Sequence, residues 1–552
     1  MDRRDFFNAF QAKAPGQDFS HIDRTTSGLN PYSGPWGTQQ VTHLLKRTLF
    51  GASVADVNYF KTKTLTQTVD ELVNTVVPAP LPPVNNYNDN TADPDVPAGE
   101  TWVNAAHSKV GNINNLRSSS LISWWTGLQL NQGRSISEKM VLFWHNHFVT
   151  QRPNINPASY QYKYNALLRT HALGNFKDFV KQITVNPAML VYLNGNVNVK
   201  GSPDENYGRE LQELFTMGKG PNSNYTEDDV KAAAKILTGY KDDLVNQSYT
   251  FNPNKHDTTD KQFSAFYNNT VVKGMTGVDG EKELDALLDM LFKEKEVALF
   301  ICRKLYRFFI YYTIDAATET NVIAPLATIF RNNNYDIKPV LTALFTSEHF
   351  FDVLNVGCVI KSPIDFTIGL CREYNVIFPD QKTNYVEAYG LWSLIYSISR
   401  DMNQELGDPP NVAGWPAYYQ EPQYHELWIN SDTLPKRNKF SDTMIGNGYT
   451  KNGKKIVIDP LTFVSTLPNP SDPNALISDS LNLLYMIEVS QATKDYLKKQ
   501  ILLSGQTSDA YWSTAWNNYI TDPNNTSYKN IVLNRLKALF KYVMNLSEYQ
   551  LS

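Results

Sequence analysis

Apolar residues recur with a helical period along almost the whole chain, and no repeat of roughly 20–50 residues organises them. Helical stripes of this kind are stable only when they bury one another, so the pattern predicts a mainly α fold: one large multi-helix unit with elaborated loops. It argues against a solenoid. The spacing predicts helices over 39–47, 66–77, 116–130, 135–149, 160–172, 175–185, 204–217 and 226–237. It predicts more over 281–292, 295–311, 321–332, 337–346, 362–375, 385–402, 473–487, 491–502 and 528–546. Several starts are capped in the sequence itself. Ser53 opens a short helix, Thr226 stands three residues before Asp229, and Asp472 precedes Pro473 at a first helical position. Four segments break the period and read as loop-rich insertions: 78–100, 240–275, 405–435 and 446–472. Short Tyr, Phe and Val runs within 240–275 predict a small β-hairpin.

Composition removes several classes of function. With 51 basic and 55 acidic residues the net charge is −4, so no cationic excess exists to neutralise a nucleic-acid backbone. Three cysteines, Cys302, Cys358 and Cys371, are too few for a disulfide framework and lie in apolar stretches, which reads as buried thiols. The most apolar stretch, 297–314, is interrupted by Arg303, Lys304 and Arg307, and reads as an amphipathic helix, not a membrane span. Residues 1–35 form a polar arm. Its Arg3, Arg4 and Phe6 match the start of a twin-arginine export signal, but no apolar stretch follows them. Residues 36–552 are then read as a single α-helical domain.

Four constellations could carry chemistry. The first is Phe143-Trp144-His145-Asn146-His147-Phe148, in a helix apolar on every side and therefore buried. Residues two apart on a helix point about 200° from each other, so His145 and His147 cannot both reach one site. An unpartnered buried polar group costs roughly 1–3 kcal/mol. Either one histidine is a ligand or proton carrier, or both are core groups bonded to backbone or to buried carboxylates. The second is Glu205-Asn206-Tyr207-Gly208-Arg209-Glu210, with Glu213 one turn beyond Glu210. Two carboxylates so close repel unless they share a proton, a cation or an arginine. Helix-borne glutamate pairs build carboxylate metal sites, and a solvated ion-pair face accounts for the same residues. The third is His256-Asp257 with Lys261, in the hairpin region. The fourth is the rigid loop Pro409-Pro410-Asn411-Val412-Ala413-Gly414-Trp415-Pro416 with Trp428 after it, either a substrate wall or a core plug. No dinucleotide fingerprint, P-loop, nucleophile elbow or His-Glu-x-x-His occurs.

Taken in order, these segments resemble one family. His43-Leu44-Leu45-Lys46-Arg47 resembles its opening, and the histidine segment and Glu205 to Gly218 resemble its centre. Tyr225 to Gly239, His256-Asp257, the Pro-Pro-Asn and Gly-Trp-Pro loop, Trp428-Ile429-Asn430 and Ser547 to Leu551 follow. The family is the bacterial "domain of unknown function 1800" group, and the resemblance covers about residues 40–552. It carries no established reaction. It implies a twin-arginine-type exported protein, and a second exported, sulfatase- or phosphatase-like protein as partner. The chain departs from the family pattern around 417–427 and in 446–472, which reads as an insertion.

Two functional readings follow. In one, the chain is a non-catalytic, envelope-associated scaffold or partner protein whose polar core specifies the fold. In the other, a His/Glu cleft serves a metal-dependent hydrolase or oxidoreductase. Its candidate catalytic residues are Glu210, His145, His256, Asp257 and Arg209, and its candidate ligands to a divalent metal are His147, Glu205, Glu210 and Glu213.

Overall fold

A computed structural model describes residues 25–88, 91–415 and 428–552. The twin-arginine-like start and most of the polar arm lie outside the described residues, as does 416–427 of the Pro/Trp-rich loop. The fold is mainly α, with three short antiparallel strand pairs among the described residues. The predicted helices appear close to their expected bounds, and their starts use the expected caps. Ser53 accepts a hydrogen bond from the Asp56 amide, and Thr226 and Asp229 form a reciprocal capping box. Within the 240–275 segment, Tyr240–Asp243 pairs with Ser248–Phe251, and Lys261–Gln262 pairs with Val271–Val272.

The apolar stripes meet in one continuous buried cluster that runs from Val41 to Tyr549. It absorbs much of the aromatic content. Trp102, Trp124, Trp125, Trp144, Trp392 and Trp512 are all fully buried, and truncating a core tryptophan to alanine costs roughly 3–5 kcal/mol. No helix of the described residues is long and apolar enough to cross a membrane. Cys302 and Cys371 are buried, but Cys358 is only half-buried.

Four elements differ from expectation. Two helices, Thr433–Gly446 and Ala510–Thr521, had no periodic signal to find. The first buries polar residues, including a fully buried Arg437 whose guanidinium donates to the Lys361 carbonyl at 2.8 Å. The second turns only Trp512 and Trp516 into the core from a Tyr/Thr/Asn-rich segment of weak propensity. The 446–472 segment contains a hairpin, Tyr449–Lys451 with Lys454–Ile456, and a short helix, Pro460–Val464. Finally, the predicted helix 204–217 is regular only over Glu205–Glu210. It then widens into a π turn at Leu211–Thr216 and stops at Gly218.

Candidate functional site

The histidine helix, Ser137–His147, is buried on all sides, and its two histidines face different neighbours. His145 is closed in by the rings of Trp125, Tyr164 and Trp415. Its Nδ1 lies 3.0 Å from the Tyr164 hydroxyl, and burial lowers its pKa to about 3. This is a neutral core histidine at any physiological pH.

His147 faces the other way, into a cleft of about 640 Å³. Its Nε2 lies 3.1 Å from the Phe215 carbonyl oxygen. That carbonyl belongs to the last turn of the π segment, where carbonyls lack helical partners. A carbonyl can only accept, so Nε2 carries the hydrogen and Nδ1 is an acceptor. The donor to Nδ1 is the Lys304 ammonium or amine, at 3.0 Å. Both ring nitrogens of His147 are therefore engaged within the protein. Burial first, and then the Lys304 charge, hold its pKa well below the usual histidine range.

Lys304 comes from the helix Lys295–Phe309. One face of this helix, Val297, Ile301, Leu305 and Phe309 among others, is in the core. Phe300, Lys304 and Arg307 lie at i, i+4 and i+7 on a flanking face and line the cleft. Burial, and next to it the Arg307 charge, lower the Lys304 pKa to about 7. The other cations in the walls are Lys46, Arg47, Lys139 and Lys219, against the side-chain carboxylates of Glu213 and Asp365, with Ser552 also in the lining. Three of them are neutralised: Lys46 by Glu373 at 2.5 Å, Lys139 by Asp365, and Lys219 by Glu213 at 3.0 Å. Lys304 and Arg307 make no ion pair with a carboxylate among the described residues.

Two glycines make the walls possible. Gly218 has φ +78°, and a Cβ there would meet the Phe300 ring at 2.7 Å. Gly414 has φ +90°, and a Cβ there would meet Asn146 Oδ1 at 2.4 Å. The close approach lets the Trp415 amide donate to Asn146 Oδ1 at 2.9 Å. Three separate motifs thus converge. The histidine segment supplies Asn146 and His147, the π turn supplies Glu213, and the proline-rich loop supplies Trp415, so that loop is a wall of the cleft as well as part of the core.

The remaining candidates lie elsewhere. Glu205 and Arg209 form an exposed ion-pair chain with Glu227, with Arg209 at 3.4 Å and 2.6 Å from its partners. Glu210 stands beside that chain, half-buried, outside the cleft lining. Burial and the nearby Glu213 charge raise its pKa to about 7. His256 is wholly buried beneath the hairpin. Its Nδ1 lies 3.0 Å from the Thr238 carbonyl oxygen, and its Nε2 is 3.1 Å from Glu283 Oε1 but off the line of a good hydrogen bond. Glu283 also accepts from Lys261 at 2.5 Å and from the Met275 amide at 2.6 Å. The Asp257 carboxylate accepts from Thr259, and hydrogen bonds of this kind hold its pKa below the usual range, against the burial that would raise it. Among the described residues, no three His, Cys, Asp or Glu side chains are grouped to hold a metal ion. His147 and Glu213 are the two sequence candidates that share the cleft.

Sequence reasoning passed over Lys304 and Arg307. The signal was present: they are the charges that interrupt the apolar 297–314 stretch. Their i, i+3 spacing places them together on the face that flanks the core stripe.

No curated protein and no solved structure matches the chain. A family model described as "Protein of unknown function (DUF1800)" matches residues 43–551. With the match covering nearly the whole sequence, the chain belongs to the DUF1800 family.

Proposed function

We propose that the chain binds a small anion with an apolar body in this cleft. One observation carries the reading: Lys304 and Arg307 sit one turn apart in an aromatic-walled cavity without a carboxylate partner among the described residues, while Lys46, Lys139 and Lys219 each have one. Lys304 is half-buried, and a cation so placed without a counter-charge is costly to the fold alone, while Arg307 is exposed at the mouth of the cleft. A ligand carboxylate, phosphate or sulfate would supply the missing charge, and each charge-assisted hydrogen bond contributes about 1.5–3 kcal/mol. Phe143, Phe300 and Phe308 would hold the apolar portion.

The metal-centre alternative draws less support, because Glu205, Glu210 and His256 lie outside the cleft lining and both nitrogens of His147 are engaged.

A thermal-shift series tests the reading. Phenyl phosphate, phenyl sulfate and 3-phenylpropionate are compared with benzyl alcohol on the full chain. At a hundred times its Kd a ligand stabilises the fold by about 2.7 kcal/mol, so one or more of the anions should raise Tm and the alcohol should not. Equal shifts from the alcohol and the anions, or shifts that survive unchanged in Arg307→Ala, would overturn it.

A further inference from the structure

The polar heart of the cleft has the makings of a covalent site. Lys304 Nζ is held 3.0 Å from His147 Nδ1, and the Phe215 carbonyl fixes that ring nitrogen as an acceptor. One N–H of Lys304 is thereby directed at His147. The rest of the amine faces the cavity, 5.0 Å from the centre of the Phe300 ring. Arg307 follows one turn later on the same face, displaced about 4.5 Å along the helix axis. Both side chains thus come to one wall of the cavity. Lysine amines desolvated beside a second cation are the ones that act as nucleophiles toward carbonyls.

We infer that Lys304 condenses with the ketone of a 2-oxo acid carrying an apolar or aromatic side chain, while Arg307 holds the carboxylate. The inference rests on the anion-binding reading and deepens it. In the first step the Nζ lone pair forms the N–C bond and the carbonyl π pair moves to oxygen, which takes a proton from solvent. His147 Nδ1 accepts the proton lost by nitrogen, giving a neutral carbinolamine. In the second step that proton passes to the carbinolamine hydroxyl, the C–O bond breaks, water leaves, and the nitrogen lone pair completes the C=N bond. The sum is amine plus ketone plus one solvent proton giving the protonated imine plus water, and return of that proton to solvent leaves the neutral imine, with no oxidant or reductant. Burial already lowers the proton affinity of Lys304, so a neutral amine is available near neutral pH.

The test uses the full chain with phenylpyruvate and sodium cyanoborohydride, followed by intact-mass measurement and peptide mapping. One reduced adduct, mapped to Lys304, is expected. Its yield should fall by about tenfold or more in Lys304→Met, and its rate should fall in Arg307→Met, which keeps the amine. Calorimetry with 3-phenyllactate, which has the carboxylate but no ketone, separates the two proposals. If phenyllactate binds in an Arg307-dependent way but no adduct forms at Lys304, the condensation is overturned and the anion cleft stands. If neither compound binds, both fall. Labelling spread over surface lysines, and equal in Lys304→Met, also overturns the condensation.

Discussion

Two places in this molecule set a histidine beside a lysine, and they differ in one respect. Under the hairpin, His256 and Lys261 share the carboxylate of Glu283, and all three are sealed from solvent. In the cleft, His147 and Lys304 share no carboxylate among the described residues, and a cavity and a second cation, Arg307, lie beside them. The first arrangement is complete within the protein and reads as structure. The second, on the reading proposed above, is completed by an added anion. Polar residues in a core are thus sorted by whether their charge is closed, not by residue type: the motif residue His256 falls on the structural side, and the unremarked Lys304 on the functional one.

The largest expected effect breaks the closed site. Glu283→Ala leaves the Lys261 ammonium buried without a counter-charge and should destabilise the fold by about 3–5 kcal/mol in denaturant unfolding. A loss below about 1 kcal/mol would mean that the network carries little of the structure.

Opening the other site further should act on binding instead. Arg307→Ala should weaken the anion by about tenfold to a hundredfold, the equivalent of 1.5–3 kcal/mol. Because Arg307 makes no ion pair among the described residues, the stability of the variant should change by less than about 0.5 kcal/mol. A variant that binds normally but unfolds easily would reverse the two roles.

A pH series sharpens the contrast. The Lys304 pKa is about 7 in the fold, below the ordinary 10.5, so the unfolded chain binds the proton more tightly. Lys304 therefore opposes folding fully below pH 7, and the opposition fades as pH rises from about 7 toward 10.5. Lys304→Met should gain more stability relative to wild type at pH 6 than at pH 9. Anion affinity of the wild type should fall as pH rises through about 7, where Lys304 loses its charge. An affinity flat between pH 6 and 8 would count against Lys304 as a ligand-facing cation.

The smallest effect concerns Glu210. Its folded pKa of about 7 lies above the ordinary 4.5, so stability is lost as pH rises between those values. Glu210→Gln should stabilise the chain modestly at pH 8 and hardly at all at pH 5, as followed by thermal unfolding. Equal effects at both pH values would place the carboxyl in ordinary solvent.

Much of this was legible in the sequence. The 3.6-residue period located the long helices, and the 200° argument rightly placed His145 and His147 on different sides of theirs. The π turn was not legible, because nothing in Glu210-Leu211-Gln212-Glu213 announces an extra residue in the turn. It upsets the regular helical register in which Glu210 and Glu213, one turn apart, would share a face. Glu213 lines the cleft, while Glu210 does not. Nor could the pattern show that His256 would meet Glu283, since the pair is joined by the return from the hairpin to the helix Glu283–Leu291. Lys304 and Arg307 were hidden for a different reason. They sit in an amphipathic stretch where charges are ordinarily taken for the solvent side.

The central claim is that Lys304 and Arg307 are an anion site awaiting its ligand. Titration calorimetry of phenyl phosphate and 3-phenylpropionate into wild type and into the Lys304→Met/Arg307→Met double variant, at pH 6.5 and low salt, addresses it most directly. The account predicts saturable binding of at least one of these anions by the wild type, weakened by added salt, and about a hundredfold or greater loss in a double variant that remains folded. Binding of undiminished affinity in the folded double variant, or no binding of either anion by the wild type, would contradict it.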